Sequence, residues 1–315
     1  MPDPAPYAVV LCARANSERL PNKALAELAP GVTVLAQLLQ RWRQSDRAPT
    51  LILATPEGAV NDPLAAVAAA HGVPVSRSAP GNAVAEMDAA IRRYCPDAAF
   101  VARALADNPL VDVALADWRL DVLAETGADG LWYGPDHNRI TYAGTTDVWS
   151  RAAWDIVAAE SKDDQYEHPG KYFWDNLDKF SVIQIPLPRR EYLRLFRTEL
   201  DTLRDLEMFQ AVWAGWDANC EGLGRETPSW VPTLWALKWL AEHMQIAAIN
   251  STEQVKTATK PKFGNRRPWH CKTCNQPVGH FSGDDLKFFC PGCGQRVRFR
   301  GINPKKTTPD MGWVP

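Results

Sequence analysis

Short apolar runs alternate with segments of helical periodicity along the first 110 residues. The candidates for buried strands are Tyr7–Ala13, Leu51–Ala54, Val73–Val75 and Ala98–Ala102. Apolar residues at helical spacing predict helices at Val34–Trp42, Asp62–Ala70 and Ala83–Tyr94, the second of them behind a capping signal at Asn61. This alternation predicts an α/β domain with a parallel sheet and helices on both faces. Ligands of such sheets bind at the carboxyl ends of the strands, so the loops after the first and fourth strands are the candidate sites.

The pattern becomes mixed beyond Asp112. It predicts helices at Val113–Glu125, Arg151–Glu160 and Thr202–Trp216, and strands at Gly130–Tyr133, Gly144–Trp149, Phe180–Ile185 and Phe196–Leu200. A later apolar stretch, Trp230–Ile249, is interrupted by Lys238, Glu242 and His243. It therefore predicts an amphipathic helix rather than a membrane span.

The composition is that of a chain that folds around a core, with 46% apolar and 23% charged residues among 315. The N-terminus shows no secretory signal, because it carries no basic residue and its first apolar run is short. Cys12, Cys95 and Cys220 are scattered through ordinary core or loop segments, a usage typical of the reducing cytoplasm. We therefore expect a cytoplasmic protein without a membrane segment.

Four further cysteines form a metal-binding pattern near the C-terminus. Cys271 and Cys274 are followed, after 15 residues, by Cys290 and Cys293. Two Cys-x-x-Cys turns at this distance predict a tetrahedral Zn²⁺ site, and because all four positions are cysteine the zinc ribbon is expected to be structural. The chain is thus predicted to divide into a main domain at 1–249, a linker at 250–267, the zinc ribbon at 268–302 and a tail at 303–315.

The net charge of −2 conceals a strong asymmetry. Lys256–Lys306 contains 12 basic and two acidic residues, whereas the remainder contains 23 basic and 35 acidic residues. A basic module of this kind binds a polyanion such as nucleic acid, or docks on an acidic protein surface, including that of its own main domain. The sequence leaves both interpretations open.

The loop after the first strand runs from Ala13 to Lys23 and reads ARANSERLPNK. It places Arg14, Arg19 and Lys23 around a small polar turn, which is a suitable arrangement for cradling a polyphosphate. It lacks the glycines and the Gly-Lys-Ser/Thr ending of a Walker loop. On composition alone, a solvated basic turn is the more frequent explanation of such a segment.

The order A-R-x-x-S-x-R-L-P-x-K after a strand resembles the opening signature of the cytidylyltransferases that make CMP-activated sugars. The chain is similar to the CMP-Kdo and CMP-sialate synthetases, and most of all to their spore coat polysaccharide biosynthesis branch. The resemblance implies a Rossmann-like, GT-A-like nucleotidyltransferase fold with a mixed sheet flanked by helices. It also implies that Arg14 and Lys23 bind the CTP triphosphate, while Ala13, Ser17 and Arg19 complete the nucleotide-binding loop.

The loop after the fourth strand, Arg103–Asp112, reads RALADNPLVD and resembles the family pattern R-x-x-G-D-x-P-L-x-D. The resemblance implies that Asp107 binds a catalytic Mg²⁺ and that Arg103 contributes to nucleotide or substrate binding. Ala106 departs from the pattern, which has glycine there. The alternative role for Asp107 is that of a helix cap or an Asx-turn before Pro109.

A third segment, Arg197–Leu206, reads RTELDTLRDL and resembles T-V-D-T-P-E-D-L, in which a strand delivers a second metal-binding aspartate before a helix. Asp201 takes that position. Leu203 and Arg204 replace the proline and the acidic residue of the pattern. The alternative is that Asp201 caps the helix, and the two roles are compatible.

Weaker similarities extend over the rest of the domain. Gly72–Arg77 resembles the G-V-P-V-x-R strand, which implies that Arg77 lies near the nucleotide, although loop 78–84 departs from the pattern and leaves the base preference open. Asp147 and His168 fall in segments associated with the sugar, which implies that they bind substrate. A structural role for His168 beside Pro169 is an equally good interpretation.

The resemblance of these segments implies attack by an acceptor hydroxyl on the α-phosphate of CTP or another nucleoside triphosphate, with a sugar acid as acceptor and pyrophosphate as product. Two other classes remain open. One is a glycosyltransferase of similar fold, against which the absence of Asp-x-Asp near the fourth strand counts. The other is a degenerate enzyme whose zinc ribbon binds nucleic acid or a protein. Dimers are common in the resembling family, so a homodimer is also an expectation.

Overall fold

The computed structural model describes residues 6–133, 140–185 and 197–251. The strands are β1 (Tyr7–Cys12), β2 (Glu27–Ala29), β3 (Val32–Thr33), β4 (Thr50–Pro56), β5 (Val75–Ser78), β6 (Phe100–Leu105), β7 (Gly130–Trp132), β8 (Asp147–Ser150) and β9 (Val182–Gln184). The helices are α1 (Val34–Trp42), α2 (Asp62–Ala70), α3 (Ala83–Tyr94), α4 (Val113–Thr126), α5 (Arg151–Glu160), α6 (Lys171–Asp175), α7 (Leu203–Gly222), α8 (Thr233–Glu242) and α9 (Met244–Ala247).

The main sheet has the strand order β5-β4-β1-β6-β8. The first four strands of that order are parallel, and β8 runs antiparallel to β6, with Asp147 opposite Arg103. Because β1 and β6 are neighbours, the loops that follow them leave the same edge of the sheet side by side. The predicted mixed α/β sheet and the predicted position of the two candidate loops are therefore confirmed.

Each face of the main sheet carries its own apolar core. On one face α3, α5 and α6 pack through a group of aromatic residues that includes Trp149, Trp154 and Phe173. The other face is covered by α1, α4, α7 and α8, with Trp118 and Trp216 among its fully buried side chains. Burial on both faces explains why the central strands are continuous apolar runs rather than alternating patterns.

Two small strand pairs complete the domain. β2 and β3 form an antiparallel hairpin that the apolar pattern did not indicate, and β7 pairs with β9 in parallel. Gly130, the first residue of β7, allows this pair to lie against the aromatic core, because an added Cβ there would lie 2.4 Å from the Phe173 ring. The prediction of strands near 130 and 182 is confirmed with shorter bounds.

Besides shifts of a few residues in the bounds of several strands, two elements differ in kind from the sequence prediction. Residues 197–200 form no strand, because groups of this segment form hydrogen bonds with loops. Leu200 N donates to the Asp107 carbonyl at 2.9 Å, and the Thr198 and Thr141 hydroxyls are hydrogen-bonded at 2.7 Å. The single helix predicted at Trp230–Ile249 is divided into α8 and α9 at His243, whose backbone leaves helical geometry and whose ring stacks on Trp239.

The predicted linker begins at Asn250, which is fully buried against the main domain. The predicted zinc ribbon, with Cys271, Cys274, Cys290 and Cys293, lies outside the described residues, as do the predicted tail and most of the predicted linker. Cys12, Cys95 and Cys220 are free thiols. Among the described helices, none combines the length and the apolar character required to cross a bilayer.

Candidate active site

The loop after β1 is folded back on itself by backbone hydrogen bonds. Ala13 N donates to the Ala54 carbonyl at 3.1 Å, and Asn22 N donates to the Ala15 carbonyl at 2.7 Å. Asn22 adopts a left-handed conformation with φ of 57°, which turns the chain toward Lys23. Ser17 contributes through its backbone, donating to the Ala15 carbonyl at 3.0 Å. The loop is therefore a defined turn rather than an extended connection.

Asn61 supports this turn from the neighbouring strand connection. It stands at the start of α2, where the sequence predicted a cap, but its side chain makes no capping bond. Its Oδ1 instead accepts a hydrogen bond from Ala15 N at 2.9 Å, and its Nδ2 donates to the Pro56 carbonyl at 3.0 Å. The predicted position of the helix start is confirmed, but the side chain of Asn61 does not cap α2 because this long-range contact uses its oxygen.

Replacing Asn61 by alanine is expected to destabilise the domain by about 1–3 kcal/mol, because the buried Ala15 amide would lose its acceptor. Chemical denaturation of the full chain measures this change. Asn82→Ala is the matched control, because Asn82 caps α3 at an exposed position and its loss should cost less. Equal stability of Asn61→Ala and wild type would contradict the supporting role.

Lys23, Asp107 and Asp201 converge at the carboxyl edge of the sheet. The Lys23 ammonium lies 3.0 Å from Asp107 Oδ2 and 3.0 Å from Asp201 Oδ1. The backbone also links the two acidic segments through the bond from Leu200 N to the Asp107 carbonyl. The structure thus brings together the two aspartates and the lysine that the three sequence motifs singled out.

The alternative roles as helix caps are wrong for both aspartates. Helix α4 is capped by Asp112, whose side chain accepts from Leu115 N at 2.9 Å. Helix α7 is capped by Thr202, which forms a capping box with Asp205. The carboxylates of Asp107 and Asp201 instead face Lys23. Ala106 is not in the left-handed backbone region, so the conformation of this loop does not require the glycine of the family pattern.

Tyr142 is a site residue that the sequence did not indicate. Its hydroxyl donates to Asp107 Oδ1 at 3.0 Å. Burial, followed by the nearby Asp107 charge, raises the pKa of Tyr142 well above its usual value of 10.0, so the phenol remains a neutral donor. Only the three-dimensional structure reveals this contact, because the segment that carries Tyr142 has no motif of its own.

Asp201 is held by two arginines in addition to Lys23. Arg19 Nη2 lies 2.6 Å from Asp201 Oδ2, and Arg197 Nη2 lies 3.1 Å from the same oxygen. Arg19 is 41% exposed at its side chain and Arg197 only 2%. The exposed Arg19 can therefore turn to a ligand, whereas the buried Arg197 is part of the framework. The sequence did not single out Arg197.

Arg14 and Arg103 are both linked to the segment 166–170. Arg14 makes an exposed contact of 3.5 Å with Glu167, and Arg103 donates to the Pro169 carbonyl. His168 lies between these two contacts, and its backbone N donates to the Gln165 carbonyl at 3.3 Å. This segment therefore borders the site between the loop after β1 and the end of β6.

A cavity of about 130 Å³ lies between β6, β8 and the segment that carries Tyr142. Its lining includes Arg103, Asn108, Tyr142, Thr145 and Asp147. Arg103 and Asp147 form an ion pair within this lining, with Arg103 Nε 3.8 Å from Asp147 Oδ2. Within the described residues, Arg103 Nε and Asn108 Oδ1 are buried without a hydrogen-bond partner.

Arg77 is not brought into contact with these groups. Its guanidinium lies 2.6 Å from Asp62 and donates to the Gly58 carbonyl at 2.7 Å, at the other end of the sheet order on β5. Its assignment to the nucleotide remains a prediction.

The carboxylate pair fits a magnesium ion that arrives with a nucleotide. Within the described residues, no group of three or more histidine, cysteine, aspartate or glutamate side chains is placed to hold a metal by itself. Mg²⁺ in nucleotide-dependent enzymes is commonly bound by one or two carboxylates, with substrate phosphates and water completing the shell. Asp107 and Asp201 provide that number of carboxylates, and both are partly accessible.

An α/β sheet with an acidic pair at its carboxyl edge is the arrangement expected of a nucleotidyltransferase. The model of the cytidylyltransferase family matches residues 8–219, and the chain belongs to that family. It is therefore an enzyme of the nucleotidyltransferase class.

The chain is also similar to individual proteins. A cytidylyltransferase structure from Leptospira borgpetersenii superposes with a TM-score of 0.67 at 18% identity, covering 80% of this chain and 99% of that one, which shows the shared fold. A structure of CMP:2-keto-3-deoxy-manno-octonic acid synthetase with CTP superposes with a TM-score of 0.49 at 12% identity, covering 67% of this chain and 99% of that one. An uncharacterized protein of Methanocaldococcus jannaschii is 26% identical over 203 residues, which is 64% of this chain and 80% of that protein.

Proposed function

We propose that this enzyme transfers CMP from CTP to a hydroxyl of a sugar acid or related acceptor, in a Mg²⁺-dependent reaction that releases pyrophosphate. The observation that carries the proposal is the convergence of Lys23, Asp107 and Asp201, with 3.0 Å between the ammonium and each carboxylate. A carboxylate pair that can bind a cation, beside an ammonium group, suits a triphosphate bound with its metal. The cytidylyltransferase family supports CTP as the nucleotide.

The loop after β1 would bind the triphosphate. Lys23 and Arg19 already meet at Asp201, and Arg14 is exposed on the same loop, so three cations face the edge where the phosphates would lie. Asp107 and Asp201 would hold Mg²⁺, which supplies charge neutralisation of the phosphate oxygens when bound. Positioning of the acceptor oxygen in line with the α-phosphate would then complete catalysis.

The acceptor would enter the cavity between β6 and β8, where the lining residue Tyr142 contacts Asp107. Arg103 offers a cationic donor, whereas Asn108 Oδ1 and Asp147 offer acceptors, so the lining suits a ligand that carries both an anionic group and hydroxyls. A ligand of this kind would satisfy two buried polar atoms that lack partners within the described residues. His168, on the bordering segment, is proposed to contact the same ligand.

Pyrophosphate release tests the proposal directly. Each of the four nucleoside triphosphates is incubated with the full chain, Mg²⁺ and a panel of sugar acids and sugar phosphates. Release with CTP and one sugar acid is the expected result. Sugar transfer from a nucleotide sugar without pyrophosphate would instead identify a glycosyltransferase. If no pair reacts and CTP does not bind with Mg²⁺, the proposal is wrong and a binding function takes its place.

The C-terminal predictions stay proposals. We propose that 268–302 is a Zn²⁺-binding module, and that its basic residues meet a polyanion or an acidic protein surface, because Lys256–Lys306 carries 12 basic and two acidic residues. A cytoplasmic location and a homodimer likewise remain expectations from the sequence.

A further inference from the structure

Asp205 is a buried carboxylate next to the site that the proposed reaction does not use. It is 0% exposed and lies four residues beyond Asp201, in the first turn of α7. Its Oδ2 accepts from Asp201 N and from Thr202 N, both at 2.9 Å. The side chain thus binds the peptide groups that flank Asp201 and fixes the backbone from which that carboxylate projects.

Arg197 connects this buried carboxylate to the one in the site. Its Nε donates to Asp205 Oδ1 at 2.9 Å, and its Nη2 lies 3.2 Å from Asp205 Oδ2 and 3.1 Å from Asp201 Oδ2. Asn250 Nδ2 donates to Asp205 Oδ1 at 2.8 Å and holds the far side of the carboxylate. Asp205 therefore fixes Arg197, and Arg197 fixes one oxygen of Asp201.

A capping box alone does not require this arrangement. Thr202 and Asp205 satisfy the start of α7 by themselves, through the bond from Asp205 N to the Thr202 hydroxyl and the return bond to Thr202 N. The additional guanidinium is planar and 2% exposed, and it contacts Asp201, Asp205 and Glu199 together. Such a group orients the carboxylates around it, because the geometry of its donors is rigid.

We infer that Arg197 and Asp205 are positioning residues that hold the Asp201 carboxylate in the orientation in which it binds the metal–nucleotide complex. The inference rests on the proposed function, because it requires Asp201 to be a metal ligand. Partners that orient a metal ligand through hydrogen bonds set metal affinity without touching the metal. The fixed oxygen is Oδ2, which leaves Oδ1, now 3.0 Å from Lys23, as the one that turns to the ion.

The test is the affinity of the full chain for Mn²⁺ in the presence of CTP, measured from the free Mn²⁺ signal by electron paramagnetic resonance. In Asp205→Asn an NH₂ group replaces one of the two carboxylate oxygens, so the side chain can no longer accept hydrogen bonds at both Oδ1 and Oδ2. We expect this variant to weaken Mn²⁺ binding by about 10- to 100-fold. Arg197→Lys keeps the charge but cannot reach Asp201 and Asp205 together, so a loss in the same range is expected. Circular dichroism checks that each variant is folded at the temperature of the measurement.

Asp117→Asn is the matched control. Asp117 is also a buried carboxylate that accepts from a hydroxyl, that of Ser45 at 2.7 Å, and from a backbone amide, that of Asp46 at 2.8 Å. It lies near Tyr7, the first residue of β1, whereas the site is at the other end of that strand. Its Mn²⁺ affinity should stay within about twofold of wild type.

The outcomes separate the inference from the proposed function. Wild-type Mn²⁺ affinity in Arg197→Lys, or in a folded Asp205→Asn, would overturn the positioning role. A comparable loss in Asp117→Asn would overturn it as well, since the effect would then reflect general destabilisation. If wild type itself binds no Mn²⁺ with CTP, or Asp201→Asn binds it as wild type does, the proposed function fails together with the inference.

Discussion

Replacing Asp107 by asparagine is expected to reduce kcat by about a thousandfold or more, a loss of ~4 kcal/mol in transition-state stabilisation. The substitution removes the negative charge that would hold the metal ion beside the phosphates, and leaves an amide of the same shape. The amide oxygen still accepts from the Tyr142 hydroxyl, so the loop after β6 should keep its conformation. Pyrophosphate release at saturating CTP and acceptor measures the change.

The matched control for Asp107→Asn is Asp155→Asn. Asp155 lies on α5, is 45% exposed and pairs with Arg151 at 2.9 Å. Its loss removes the same charge from the surface, and turnover should stay near the wild-type value. A variant Asp107→Asn that is folded and turns over at the wild-type rate would contradict the assignment of this carboxylate to the metal.

The helices could be predicted from the sequence because their signals are local. The bounds of α1, α2, α3 and α5 agree residue by residue with those predicted. Three of the four begin behind a side chain that caps the helix: Thr33, Asn82 and Ser150 each accept a hydrogen bond from the amide three residues later. Apolar spacing and a cap lie within one or two turns, so no distant contact is needed to recognise them.

The prediction failed where distant contacts use the same groups. Asn61 has the sequence position of a cap, yet its oxygen is taken by Ala15 N, 46 residues away. Residues 197–200 have the apolar character of a strand, but their hydrogen bonds go to the loops after β6 and β7. In both places tertiary structure decides between two uses of one hydrogen-bonding group, and a local pattern contains no information about that choice.

In the site, too, residues within sequence motifs were predicted, whereas residues that act only through distant contacts were not. Motif resemblance identified Lys23, Asp107 and Asp201 separately, although 84 and 178 residues separate the lysine from the two acids. Lys23 and Asp107 come together because β1 and β6 are neighbours, and Asp201 joins them through the bond from Leu200 N to the Asp107 carbonyl. Tyr142 and Arg197 were missed because each acts through a side-chain contact to one of these aspartates.

Replacing Lys23 by alanine is expected to lower kcat/KM for CTP by about 100- to 1,000-fold, the usual cost of removing one preorganised donor from a charged transition state. Lys23 is the group that touches both carboxylates, and its side chain is only 15% exposed, so the lost charge acts in a poorly solvated place. Asp201 keeps Arg19 and Arg197 as partners, which should preserve the fold. Steady-state pyrophosphate release across CTP concentrations gives the value.

Lys179→Ala and Lys23→Arg make this result specific. Lys179 pairs with Glu160 on the surface and donates to the Tyr172 hydroxyl, so its removal should leave kcat/KM close to wild type. Lys23→Arg restores the charge but replaces a compact ammonium by a broad planar group. This group does not fit in the place of an ammonium that lies 3.0 Å from each of two carboxylate oxygens, so the variant should recover only part of the lost activity. Full activity in Lys23→Ala would mean that the lysine merely neutralises the acidic pair. If positive charge alone were required at position 23, arginine would restore full activity. Partial rescue by arginine, with Lys179→Ala unaffected, would therefore show that the enzyme requires the compact charge of lysine there.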